Sequence, residues 1–136
     1  MKPRVHFVTL VVADLARSRR FYLEGLGWPS AFDGGEDVTM IEIGPKVFLS
    51  LWAEEAARGE IGQVNRAGTA PFTLSHNVGS PSEVNAVLEA ARAAGATVHQ
   101  AQPRDWGGYS GYFQDPDGFR WEVAYNPHPV GGTTLP

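Results

Sequence analysis

Residues 115–123 read DPDGFRWEV, a tight turn followed at once by a strand. A type I turn favours Asp at its first position, Pro at its second and Gly at its fourth, and DPDG has all three in place. After the turn, large apolar residues alternate with charged ones, which is the pattern of a strand with one buried face. The stretch therefore predicts a turn that leads into a strand of a β-sheet.

Glu122 places a carboxylate inside this strand. Because side chains alternate along a strand, Trp121 and Val123 face one side of the sheet and Glu122 faces the other. Charged side chains are rarely buried unless they are paired or bound to a metal. Glu122 is therefore a candidate metal ligand, ligand-binding group or general base. The alternative is a carboxylate that pairs locally with Arg104 or Arg120.

Outward from this stretch, one order of elements occurs twice along the chain. The first run predicts a strand, a helix and two further strands, at residues 5–12, 15–26, 38–44 and 46–52. The second run predicts a strand at 72–78, a helix between Ser80 and Gly95, and strands at 96–101, 107–113 and 119–125. Asp14 and Ser80 are the expected helix N-caps, and Glu83 completes a capping box with Ser80.

This pattern is an internal repeat, in which Thr9 and Ser75 are equivalent positions. One such unit cannot bury both faces of its small sheet, whereas two units together leave a concave surface that suits a small ligand. We expect one domain over residues 1–136. It contains a first module at 1–53, a connection at 54–70 with one short helical turn, a second module at 71–126, and a loose surface tail at 127–136.

Composition excludes several classes of function. With 136 residues, of which 43% are hydrophobic, the chain can form one folded core. The net charge is −4 and no basic stripe occurs, so nucleic acid is not an expected partner. Cysteine is absent, which excludes disulfides and thiolate catalysis and suits the cytoplasm. No run approaches the roughly 20 apolar residues of a membrane span, and the first residues do not resemble a secretory signal, so no membrane partner is expected.

Three segments carry a resemblance to a known superfamily: VTLVVADLARSRRFYLEGLGW at 8–28, SPSEVNAVLEAARAAGATV at 80–98 and GGYSGYFQDPDGFRWEV at 107–123. In this order they resemble the vicinal oxygen chelate superfamily, which includes glyoxalases, bleomycin-resistance proteins and extradiol dioxygenases. The resemblance implies an α+β fold of paired βαβββ modules that form an open, cup-shaped, eight-stranded barrel-like sheet. It also implies a homodimer and, in catalytic members, a divalent metal at the floor of the cup.

The resemblance implies metal ligands on the first strand of each module and on the last strand. Glu122 matches the carboxylate position of the last strand. The first-strand position falls on Phe7, whose ring has no lone pair to offer, and His6 is one residue away on the other face. The second-module position falls on Thr73, or on His76 if the alignment is ungapped. Glu122 is thus the candidate metal ligand, His76 and His6 are weaker alternatives, and no cofactor is assigned.

The alternation of strand side chains also predicts which residues face the expected cup. These residues mix apolar area with a few polar groups, which is typical of a small-molecule pocket. The expected ligand-binding residues are Phe7, Thr9, Thr73, Ser75, Asn77, Trp106, Ser110, Tyr112, Arg120 and Glu122. For Trp106 the alternative is packing against the sheet or at a dimer contact. His99 and His128 have no spacing that suggests a site.

The sequence therefore predicts a protein that binds a small, partly planar organic molecule in its cup, without the full metal site of the superfamily. One alternative is an enzyme of the same superfamily, a lyase, isomerase or dioxygenase, that uses Glu122 as metal ligand or general base. Another is an interaction module whose cup is filled by its own side chains.

Overall fold

Each half of the chain folds around its own four-stranded mixed sheet. The computed structural model describes residues 1–135 and divides into two compact units, Met1–Ala67 and a second unit that starts at Gly68. Both units have the order strand, helix, three strands. The predicted α+β fold of repeated βαβββ modules is therefore confirmed.

The first unit contains β1 (Phe7–Val12), α1 (Leu15–Arg19), a π-helix (Arg20–Gly25), β2 (Phe32–Asp33), β3 (Val38–Gly44), β4 (Val47–Ala53) and α2 (Glu54–Ile61). Its sheet has the order β1-β4-β3-β2, with β1 parallel to β4 and the other pairs antiparallel. Helix α1 contacts β3 and β4. The side chains of Leu10, Val12, Ile41, Leu49 and Leu51 are almost wholly buried and form the core of this unit.

The second unit contains β5 (Leu74–Val78), α3 (Pro81–Ala93), β6 (Thr97–Pro103), β7 (Tyr109–Gln114), β8 (Arg120–Tyr125) and α4 (Pro129–Gly132). Its sheet has the order β5-β8-β7-β6, with β5 parallel to β8. Helix α3 packs on β6, β7 and β8. Its core is apolar and includes Val84, Leu88, Ala91, Phe113, Trp121 and Val123.

Both predicted helix caps are present. The Asp14 carboxylate accepts from the backbone N–H of Arg17 at 2.9 Å, and the Ser80 hydroxyl accepts from the N–H of Glu83 at 3.3 Å. The Glu83 carboxylate accepts at 2.6 Å from the N–H of Gly79, one residue before the position that a standard capping box uses. These caps satisfy backbone donors that a helix leaves free at its first turn.

The helix predicted at 15–26 changes character at Arg20. Residues Arg20–Gly25 form a π-helix, in which the N–H of Leu26 donates to the carbonyl of Phe21 at 2.9 Å. Phe21 and Tyr22 are adjacent and both fully buried. The wider turn of a π-helix brings two neighbouring side chains closer to one side, which accounts for the change.

Other boundaries differ from the sequence prediction in smaller ways. Strands β1 and β5 each begin two residues later, and the two-residue strand β2 was not predicted. The connection contains a full helix, α2, whose first turn has two glutamates that suit the positive end of a helix. Residues 127–135 of the predicted tail are in contact with the second unit and not loose: the Asn77 amide donates to the Thr134 hydroxyl at 2.8 Å, and His128 Nε2 lies 2.7 Å from the Trp106 carbonyl oxygen. Within residues 1–135, no helix is long and apolar enough to cross a bilayer.

Candidate functional site

The second sheet has two chemically different faces. One is covered by α3 and contains Phe113, Trp121 and Val123. On the other, strand register places Ser75 and Tyr112 on either side of Glu122. We call this the Glu122 face. It consists of Ser75, Asn77, Ser110, Tyr112, Gln114, Arg120, Glu122 and Ala124, together with Thr73 just before β5.

The Glu122 carboxylate is held by two hydroxyl groups. Ser75 donates to Oε2 at 3.2 Å, and Tyr112 donates to Oε1 at 3.1 Å. Within residues 1–135, neither Arg104 nor Arg120 forms an ion pair with it, so the structure does not show the alternative of a local pairing with an arginine. The carboxylate is half-buried, and each of its oxygens still has a second lone pair for a further donor.

Arg104 also lies at this site, although the sequence indicated it only as an alternative partner for the Glu122 carboxylate. The β6–β7 hairpin positions it, because its N–H donates to the carbonyl of Gly108 and its own carbonyl accepts from Gly107. Its guanidinium donates from Nε to the Ser110 hydroxyl and from Nη2 to the Ser110 carbonyl, both at 2.9 Å. Its Cζ lies 5.7 Å from the centroid of the Tyr112 ring, within cation–π range.

Tyr112 is a phenol between charges of both signs. Burial raises its pKa above the ordinary value of 10.0, and the hydrogen bond and negative charge of Glu122 raise it further. The positive charges of Arg104 and Arg120 oppose this shift. The phenol is therefore protonated at neutral pH and acts as a hydrogen-bond donor toward Glu122.

Arg120 belongs to the Glu122 face, and His99 of β6 borders it. The Arg120 backbone carbonyl accepts from the Thr73 hydroxyl at 3.0 Å, and its side-chain Nε is shielded from water with no acceptor among residues 1–135. His99 lies opposite Tyr112 in the β6–β7 register, with its Nε2 3.4 Å from the Gln114 amide. The sequence assigned no site to His99. A register shift between His99 and Gln102 obscures the alternation that would have indicated one.

The remaining candidates fall outside this cluster. Phe7 and Thr9 belong to the first unit, where Phe7 is 51% exposed and its ring stacks on Phe48 at 5.5 Å. His6 lies in the same unit just before β1. His76 is in register with the buried Val123, so it shares the helix side of the second sheet and not the Glu122 face.

Trp106 packs against the backbone of its own hairpin. A Cβ added at Gly108 would overlap the indole ring, so the ring lies directly over this glycine. The carbonyl of Trp106 faces His128 in the C-terminal segment. These contacts favour the packing role for Trp106, while its 42% exposure leaves one side of the ring open.

The donor set does not fit the divalent metal that the resemblance implies. Protein metal sites need about three suitable ligands. No group of three His, Cys, Asp or Glu side chains within residues 1–135 is arranged to hold a metal. The Glu122 carboxylate accepts hydrogen bonds from two hydroxyl groups, and the Thr73 hydroxyl donates to a backbone carbonyl, so these groups are engaged within the protein. We therefore derive no chemistry through a metal.

Comparison with known proteins places these features in a family context. A sequence profile of the Glyoxalase/Bleomycin resistance protein/Dioxygenase superfamily matches residues 4–123. A solved glyoxalase-related enzyme from Fulvimarina pelagi is 33% identical, with a TM-score of 0.83 over 92% of this chain and 89% of the other. A glyoxalase/bleomycin resistance protein/dioxygenase from Nocardioides is 26% identical, with a TM-score of 0.74 over 92% and 84%.

More distant structures share the fold alone. Lactoylglutathione lyase from Agrobacterium tumefaciens is 19% identical, with a TM-score of 0.70 over 91% of this chain and 94% of the other. Among proteins of curated function, none matches the chain.

Proposed function

Because the chain belongs to the Glyoxalase/Bleomycin resistance protein/Dioxygenase superfamily, we propose that it binds a small, partly planar organic molecule on the Glu122 face of its second unit. In this proposal the ligand binds without a complete metal site. The protein acts as a binding protein that captures its ligand on this face. We propose further that the protein is cytoplasmic and that it forms a homodimer. Light scattering on the purified protein measures its molar mass and so tests the homodimer.

The observation that carries the proposal is the arrangement around Glu122. A carboxylate, two hydroxyl groups and two guanidinium groups lie together on the face of the second sheet opposite α3. A few convergent polar groups beside aromatic area are what orients a small ligand. The Tyr112 ring provides such area, and its hydroxyl is fixed by Glu122.

The donor set favours binding over metal chemistry. A single carboxylate holds a divalent ion weakly, and the three-ligand arrangement of a catalytic centre is not found within residues 1–135. Titration with Mn²⁺ and Zn²⁺ tests this directly. We expect neither ion to bind stoichiometrically. Tight binding of Mn²⁺ or Zn²⁺ that is lost in Glu122→Gln would contradict the proposal.

Three small aromatic probes test ligand binding itself. Benzamide, benzoate and benzamidinium have the same ring and a planar head group of nearly the same shape. Fragments of this size bind with dissociation constants on the order of 1 mM, a range that NMR titration covers. At least one probe is expected to shift the amide signals of β5, β7 and β8 to saturation. Saturable shifts confined to β1 and β4, or none at all, would refute the proposed function.

A matched pair of variants shows which face binds. Tyr112→Ala removes a ring from the Glu122 face and is expected to weaken binding of the active probe. Tyr109→Ala removes the same side chain from the same strand, but that tyrosine bonds to Asn85 on α3 at 3.2 Å and belongs to the helix side. Tyr109→Ala should leave the affinity unchanged.

An enzymatic role remains a second candidate, because the 33% identical relative is described as an enzyme and because Tyr112 and Glu122 form a donor–acceptor pair. Glu122 would act as general base. Its test is exchange of solvent deuterium into the methyl group of acetophenone, an aromatic probe of similar size whose C–H bonds next to the carbonyl are acidic. Exchange that is unchanged in Glu122→Gln would exclude this role.

A further inference from the structure

Two arginines of the first unit whose side chains are largely shielded have carboxylate partners. Arg19, with 26% of its side chain exposed, lies 2.6 Å from an Asp33 oxygen, and Arg66, with 32% exposed, lies 2.7 Å from a Glu54 oxygen. Such pairing is expected, because removing a guanidinium from water costs free energy unless a charged or polar partner replaces the water.

The two half-buried arginines of the second unit, Arg104 and Arg120, have no such partner. Among residues 1–135, Arg104 donates only to the neutral oxygens of Ser110, and the side chain of Arg120 has no hydrogen-bond or ion-pair partner. The acid of the Glu122 face is hydrogen-bonded to Ser75 and Tyr112. The fold thus leaves two guanidinium groups beside one carboxylate, which is one excess positive charge on this face of a chain whose net charge is −4.

The two arginines differ in how firmly they are held. Arg104 is fixed by two hydrogen bonds to Ser110, which is only 1% exposed, and by the Tyr112 ring below it. It is therefore preorganised, and little conformational freedom is lost when it binds a ligand. Arg120 has a buried Nε without an acceptor, which leaves a desolvation cost that a ligand oxygen would remove.

We propose that the Glu122 face recognises an organic carboxylate, with the guanidinium groups of Arg104 and Arg120 as the recognition groups. This inference rests on the proposed function and specifies its ligand class. The planar fork of a guanidinium matches the two oxygens of a carboxylate and gives short, charge-assisted hydrogen bonds. One carboxylate also neutralises the one excess positive charge of this face. The Glu122 carboxylate repels the ligand anion and so directs it to the arginine side.

The three aromatic probes separate this inference from the proposed function, since they differ mainly in charge. We expect benzoate to bind about tenfold more tightly than benzamide, which corresponds to one charge-assisted hydrogen bond, and benzamidinium to bind most weakly. If benzamide or benzamidinium binds as tightly as benzoate, the proposed function stands and the carboxylate inference falls. If none of the three binds, both fall.

Variants then identify the recognition group. Arg120→Gln and Arg104→Gln should each abolish most of the preference for benzoate over benzamide, while binding of benzamide changes little. The matched control is Arg92→Gln, which removes the same charge from α3, where Arg92 is paired with Glu89. It should preserve the preference.

A second substitution at the same position covers loss of folding. If Arg120→Gln does not fold, Arg120→Lys serves instead, because it keeps the charge and loses the fork. A preference for benzoate that survives in both the Arg104 and the Arg120 variants would overturn the inference.

Discussion

Equivalent positions of the two sheets carry different chemistry on one face. In the first sheet, register places Thr9 and Met40 on either side of Ser50, where the second sheet has Ser75 and Tyr112 on either side of Glu122. The other positions on this first face are mainly apolar, with Glu42 as the exception; the apolar ones include Phe7, Val11, Val38, Phe48 and Trp52. The same topology thus presents a mainly apolar face in one unit and a polar cluster in the other.

The opposite faces of the two sheets are alike. Leu49 in β4 corresponds to Trp121 in β8, and Leu51 corresponds to Val123, and all four are buried. Since both sheets bury this face under a helix, hydrophobic packing maintains the topology there and leaves the other face free to vary. We infer that stability depends on the helix side of both units and that ligand recognition depends on the Glu122 face of one.

The largest expected effect tests the likeness of the buried faces. Trp121→Ala should lower the free energy of unfolding by about 3–5 kcal/mol, and Leu49→Ala by about 2–5 kcal/mol, because each leaves a cavity in a closed core. Urea denaturation measures both. Phe48→Ala, next to Leu49 but on the other face, should cost clearly less. A small effect of Trp121→Ala would contradict the inference that the helix side of the second sheet maintains its stability.

A second prediction concerns a position where the buried faces differ. Thr39 in the first sheet corresponds to Gly111 in the second. A Cβ at Gly111 would come within 2.6 Å of a Leu88 methyl group and 2.8 Å of the Ala101 backbone nitrogen. Gly111→Ala should therefore destabilise by about 1–3 kcal/mol through overpacking. Gly44→Ala, where a Cβ meets no atom within 4 Å, is the control and should change unfolding little.

A third prediction concerns the buried hydroxyl of Thr39 in the first sheet. Arg19 donates from Nε to the buried Thr39 hydroxyl at 2.6 Å and also bonds to Asp33. Arg19→Leu removes these two bonds and a third to the Gly35 carbonyl, and it leaves the hydroxyl without this donor, so the free energy of unfolding should fall by about 1–2 kcal/mol. Arg58→Leu is the control, since Arg58 is exposed and lies 3.7 Å from Glu54. Equal effects of the two variants would remove the special role of Arg19.

The sequence predicted the backbone of the site because local patterns determine it. Asp115 accepts from the N–H groups of Asp117 and Phe119 at 2.9 Å, and Gly118 donates to the Asp115 carbonyl, so the DPDG turn forms as expected. Alternation in the strand after the turn then separates Glu122 from Trp121 correctly. Periodicity and turn chemistry involve neighbouring residues, and both can be identified without the fold.

The partners of Glu122 were not predictable in the same way. Arg120 shares its strand and face, yet the carboxylate bonds to Ser75 and Tyr112 on the adjacent strands. That choice depends on the register between strands, which no short stretch of sequence encodes. His99 was missed for the same reason, because an irregularity in the β6–β7 pairing determines which face it occupies.

The smallest expected effect concerns the ionisation of Tyr112. Its equivalent in the first sheet, Met40, has no ionisable group. The pKa of Tyr112 is raised in the folded protein, chiefly by burial and then by its bond to Glu122, so folding stabilises the protonated phenol. The stability that this raised pKa contributes is complete below pH 10, the ordinary value that applies in the unfolded chain. It is lost as the pH rises from there through the higher pKa of the folded protein, because Tyr112 ionises first in the unfolded chain.

Urea denaturation at a series of alkaline pH values, with Tyr112→Phe as reference, isolates this term from the other three tyrosines. Tyr112→Phe should lose about 0.5–1.5 kcal/mol at neutral pH, because the hydrogen bond to Glu122 is gone. The difference from wild type should shrink above pH 10. A difference that stays constant, or tyrosinate absorbance showing that Tyr112 ionises before the unfolded chain does, would mean that Glu122 and the phenol are not coupled as the structure indicates.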